Sequence, residues 1–130
     1  MHNLEMMFKS NIQEACKVLG SSHQELKEKY MGYPVCLMEY YEKKIYRRSI
    51  EVRFDSIAVT FALSFGKVDH CDTVIIFFDN AKDEDLFIDY LKENASYDFR
   101  KCSWKLPECH LKIRFSPTCG TAFYIYKEQN

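Results

Sequence analysis

The residues with most chemistry to offer in this sequence are its six cysteines and four histidines. His70-Cys71-Asp72 sets an imidazole, a thiol and a carboxylate side by side, the ingredients of a cysteine nucleophile and its base. The triplet falls in a connection between strand-like runs, where side chains can converge. No third group to orient the imidazole is identified, however. Cys109-His110 is a second adjacent pair. It belongs to an alternating run, so the two side chains project to opposite faces of a strand and cannot act together. Cys102, Cys109, His110 and Cys119 could supply donors for zinc. No two cysteines stand in the Cys-x-x-Cys spacing of a zinc knuckle. Gly20, Gly32, Gly66 and Gly120 lie scattered near element ends, and no phosphate loop or dinucleotide fingerprint can be built from them. The expectation is a protein that is not an enzyme, with no catalytic residue, metal or cofactor. A small thiol- or metal-dependent enzyme using Cys71, or Cys102, Cys109 and Cys119, is an alternative.

The charged residues offer binding rather than catalysis. Eighteen Lys and Arg oppose nineteen Asp and Glu, a net charge of −1, which argues against a protein that coats duplex nucleic acid. Lys43, Lys44, Arg47, Arg48 and Arg53 cluster among Tyr40, Tyr41 and Tyr46. That combination suits a small RNA-binding or regulatory module on a Lys43–Arg53 hairpin. With no recognised RNA-binding signature present, it better suits an edge hairpin whose cations discourage aggregation. Nucleic acid is therefore not the expected partner.

The acids are more concentrated. Asp69, Asp72, Asp79, Asp83, Glu84, Asp85, Asp89 and Glu93 are opposed within their stretch only by Lys82 and Lys92. Three of them open a helix, where carboxylates complement the dipole. Asp85, Asp89 and Glu93 recur every four residues on the side away from Leu86, Phe87, Tyr90 and Leu91. Like charges at that spacing oppose their own helix by a few tenths of a kcal/mol per pair. A stripe of this kind suits a basic partner, and it suits a solvated face as well. Nine tyrosines add potential contact area, Tyr33, Tyr97, Tyr124 and Tyr126 among them.

The elements that position these residues follow from periodicity. Leu4, Met7, Phe8, Ile12, Ala15, Cys16 and Leu19 mark an amphipathic helix ended by Gly20. Ser22-His23-Gln24-Glu25 is a capping box opening a short second helix towards Tyr30. Val35 to Tyr41 reads as a strand. Alternating runs to Phe54 and from Ile57 predict a hairpin across Asp55-Ser56. The small residues Ala58, Thr60, Ala62 and Ser64 suggest a helix packed closely on that side. Val74 to Phe78, apolar on both faces, predicts a strand covered on both sides. Asn80 caps a third helix to about Asn94. Strands follow at Tyr97 to Trp104, Cys109 to Ser116 and Thr121 to Lys127. The whole predicts one α+β domain over residues 1–130: a mostly antiparallel sheet, two N-terminal helices, one helix between the strand runs, and helices on the sheet's faces.

No basic segment with an apolar core opens the chain, and no apolar run is long enough to span a bilayer. A cytosolic protein with reduced thiols and no membrane contact is expected. A small α+β chain without catalytic motifs, carrying an acidic helix over Asp83 to Glu93, resembles the immunity proteins of bacterial contact-dependent toxin systems. The resemblance implies a cytosolic protein that binds a cognate toxin, often a nuclease, and blocks its basic active site. Asp69, Asp72, Asp85, Asp89 and Glu93 are the partner-binding residues this implies.

Overall fold

In the computed structural model three helices and eight strands form an α+β fold. It describes residues 2–42, 45–64, 70–117 and 120–128. Lys43, Lys44, Gly66, Asp69 and Cys119 lie outside the described residues.

Helix α1 (His2–Val18) is followed by Gly20 at φ +96°, a left-handed conformation that favours glycine. Helix α2 (His23–Lys29) opens with the expected capping box: Glu25 N donates to Ser22 Oγ at 3.1 Å, and Ser22 N donates to Glu25 Oε1 at 3.0 Å. Four strands then meander: β1 (Val35–Glu42), β2 (Ile45–Arg53), β3 (Ile57–Ser64) and β4 (His70–Phe78). Helix α3 (Ala81–Asn94) carries the chain across the sheet to its far edge. Four more strands run back: β5 (Ser96–Asp98), β6 (Ser103–Lys105), β7 (His110–Ser116) and β8 (Gly120–Tyr126). The last strand docks against β4, giving the order β1-β2-β3-β4-β8-β7-β6-β5, with every pairing antiparallel.

All three helices share one core with one face of this sheet. Phe8 of α1 meets Phe78 and Phe87 edge-on, Phe87 of α3 meets Phe123 edge-on, and Tyr30 after α2 stacks on Phe61 at 4.9 Å. The strand residues in that core are Ile50, Val52, Val59, Phe61, Val74, Ile76, Phe123, Ile125 and others of the same parity. The other parity contributes none, and among the described residues no helix covers its face.

This corrects three expectations. Helices do not occupy both faces, so β4 is covered on one side and Ile75 and Phe77 are only half-buried on the other. The small residues of β3 have no helix against them; Ala58 and Ala62 are buried by neighbouring side chains on the open face. Tyr97 to Trp104 is not one strand but the hairpin β5–β6, turned at residues 99–102 with Cys102 at φ +52°. Phe115, near the end of β7, is 74% exposed.

Candidate partner-binding surfaces

The acidic stretch divides when folded. Asn80 N-caps α3, its Oδ1 accepting from Asp83 N at 2.8 Å, and its Nδ2 donates to the Asp83 carboxylate at 3.1 Å. Asp83 is thereby used in the cap. Phe87 and Leu91 are fully buried on the inner side. Asp85, Asp89 and Glu93 are exposed on the outer side, and among the described residues none has a hydrogen-bond or ion-pair partner. The three extend over about 12 Å of a helix held fast from beneath.

Asp72 does not join them. A register shift at Ala62/Leu63 lets Leu63 pair with Cys71 and Ala62 with Thr73, leaving Asp72 as the extra residue of a bulge. Its carboxylate turns to the open face, meets the Arg47 guanidinium at 3.4 Å and accepts from Thr73 Oγ1 at 3.0 Å. Asp79 is likewise engaged, accepting from Arg53 Nη1 at 2.7 Å. Asp69 lies outside the described residues. Of the four described carboxylates expected to form one partner surface, Asp85, Asp89 and Glu93 form a row and Asp72 stands apart.

The thiols separate too. Cys71 is buried on the helix side of β4, its Sγ donating to the Thr73 carbonyl at 3.5 Å, and burial pushes its pKa up to about 12. A thiol held protonated in this way is the opposite of an activated nucleophile. Cys102 is exposed in the β5–β6 turn, Cys109 is buried just before β7, and His110 lies on the open face of β7. Among the described residues no three metal-ligating side chains come together.

Cys109 instead meets Cys16 of α1, a pairing that strand alternation could not reveal. The hydrogen bond between them lowers the pKa of Cys16 and, together with burial, raises that of Cys109. Both thiols line a cavity of about 290 Å³ bordered by Lys9, Gln13, Asn94 and Glu108.

The basic hairpin is described only in part. Lys43 and Lys44 lie outside the described residues, Arg47 and Arg53 are ion-paired, and Arg48 sits on the parity opposite to theirs. Another basic and aromatic ladder forms where β7 meets β8. Lys112 pairs with Tyr124, and His110 with Tyr126. The Arg114 guanidinium lies 5.5 Å from the Tyr124 ring centroid and Lys112 Nζ lies 5.9 Å from that of Tyr126, on which His110 stacks. The alternation of His110, Lys112 and Arg114 is visible in the sequence; that Tyr124 and Tyr126 stand opposite them is set by strand pairing.

Comparison with protein-family models, with curated proteins and with solved structures gives no significant match.

Proposed function

We propose that this protein acts in the cytosol by binding another protein, not by catalysis, and that it is an immunity protein occupying the basic cleft of a toxin domain. The observation that carries this proposal is the row Asp85, Asp89 and Glu93. Among the described residues these carboxylates have no partner, and they stand on a helix whose other side is locked into the core. Such a row is already ordered and already faces solvent, so docking a cationic cleft on it requires no rearrangement and breaks no internal ion pair. A nuclease cleft built to hold phosphates is a surface of that sign and width.

The test takes as partner the product of the gene adjoining this one, which the proposal requires to be a basic toxin domain. Titration calorimetry measures its affinity for the native protein and for the triple variant Asp85→Lys, Asp89→Lys, Glu93→Lys. The variant keeps its fold, because the row is exposed and its mutual repulsion is exchanged for another of the same size. We expect at least a hundredfold loss of affinity and of toxin protection, from charge pairs that reverse sign. Unchanged affinity, or the absence of any inhibition by the native protein, would refute the proposal.

A further inference from the structure

The open face of the sheet carries a second surface, independent of the α3 row. We propose that it binds single-stranded nucleic acid, with bases stacked on Phe77 and Tyr124 and phosphates held by Lys112 and Arg114.

Three observations meet here. The first is charge. Strands β6, β7 and β8 contain no Asp or Glu, and their open face presents Lys105, His110, Lys112 and Arg114; of these His110 meets a carboxylate, Glu128 just beyond β8, at 3.7 Å. Lys105 pairs with His110, so the cations continue across β6 and β7. The net charge of −1 conceals this strip because the uncompensated acids of α3 belong to the opposite, helix-covered side of the sheet.

The second observation is shape. Glu51, Thr60, Ile75, Tyr124 and Lys112 form one cross-strand row on the open face. Alongside it, Phe77 pairs with Ala58, and Arg114 with Ala122. Ala58, Ala62 and Ala122 are short and buried, so the half-buried rings of Phe77 and Tyr124 stand above a low floor. From β2 to β7 the platform is about 19 Å wide, four strand spacings. Exposed rings on a flat sheet offer stacking area to any base whose face is free, and a duplex hides those faces.

The third observation is an unfilled polar position on the same face. Ser49, 1% exposed, has a buried Oγ with no hydrogen-bond partner, and Arg47 Nε nearby on β2 is also buried and unpartnered. Buried polar atoms are rarely left so, and Arg47, whose side chain is partly exposed, is the one of the two that a bound strand could reach. Arg114 and Lys112 rest over tyrosine rings in the free protein. A base taking the face of Tyr124 moves its guanidinium onto the adjoining phosphate.

The experiment is fluorescence anisotropy with the full chain and labelled twelve-nucleotide probes: single-stranded RNA, single-stranded DNA, and a duplex of the same sequence. We expect the single strands to bind and the duplex not to, with RNA and DNA compared to learn whether the 2′-hydroxyl is read. Raising salt from 50 to 200 mM should weaken binding roughly tenfold, as two or three phosphate contacts dictate. Lys112→Glu with Arg114→Glu should abolish it, and Tyr124→Ala should weaken it by about 5- to 150-fold. Arg114 is exposed, and a thermal melt of each variant confirms folding. The α3 charge-reversal variant should bind nucleic acid at least as tightly as the native chain, so this proposal and the immunity function fail separately. No single-strand binding at 100 µM protein, equal affinity for the duplex, or indifference to the charge variant would overturn it. Capture of a protein by this face in place of nucleic acid would overturn it too.

Discussion

The two faces of the sheet are made from the same strands and differ in what covers them. On the helix side, Phe8, Phe61, Phe87 and Phe123 are all at or below 2% exposure; Phe8, Phe87 and Phe123 interlock edge to face, and Phe61 stacks on Tyr30. On the open side, Phe77, Tyr124 and Tyr126 are half-buried, screened by alanines and by the aliphatic stems of long cations. Aromatic residues on the first side hold the fold together; on the second they remain available for contact. Charge is partitioned as well, with the acids Asp85, Asp89 and Glu93 on the outside of α3 and the cations Lys105, Lys112 and Arg114 on the open face of β6 and β7. A near-neutral total thus conceals two surfaces of opposite sign.

The widest expected difference between the faces is in stability. Phe87→Ala removes a fully buried ring from the junction of α1, α3 and the sheet, and should cost about 3–5 kcal/mol. Phe77→Ala, on the open side, should cost less than half of that, since its ring already meets water. Urea denaturation of both variants measures the contrast; equal costs would mean that the open face is covered in solution.

The next effect is alkaline. Cys71 on the helix side titrates near 12 because burial disfavours its thiolate, whereas the unfolded thiol titrates near 9. The folded form therefore keeps a proton that the unfolded form releases. The stabilisation is complete below pH 9 and is lost as pH rises towards 12. Over the two units from pH 9 to 11 one such thiol accounts for about 2–3 kcal/mol. Tyr30, also raised by burial, acts in the same direction. Chemical denaturation against pH should show the decline, with a shallower slope in Cys71→Ala.

How much of this was legible in the sequence depends on the range of the forces involved. The Ser22 capping box, the Asn80 cap and the α3 row are local patterns, settled within a few residues, and they stand where periodicity puts them. The alternating strands β2, β3 and β7 are similarly legible. Helix sidedness was not, because Val74 to Phe78 is apolar at both parities and sequence alone cannot tell a helix from a layer of arginine and lysine stems. The β5–β6 hairpin was hidden by strands of three residues and by a turn whose left-handed residue is Cys102, not glycine. Of the candidate site, the three acids of α3 could be grouped by their four-residue spacing. The Cys16–Cys109 contact and the β7–β8 ladder join residues far apart in the chain, so they depend on tertiary pairing.

Asn80→Ala tests the local end of that range. It removes the acceptor for Asp83 N at the start of the helix bearing the acidic row, and should cost about 1 kcal/mol. Thermal melts would show it. Toxin affinity should follow only through fraying of the first turn, so Glu93, three turns along, should contribute as before.

The smallest expected effect separates the two faces most sharply. Asp72 belongs by sequence to the acidic stretch and by structure to the open face, because the bulge at Ala62/Leu63 turns it towards Arg47. Its ion pair is long, at 3.4 Å, and both side chains are partly solvated, so Asp72→Asn should cost less than about 1 kcal/mol. Toxin affinity should be unchanged, since no part of the carboxylate reaches the α3 side. Nucleic-acid affinity should rise two- to threefold, because neutralising Asp72 releases Arg47 beside the unpartnered Ser49 hydroxyl. A loss of toxin affinity from this one substitution would place the partner on the open face and remove the division of labour between the two.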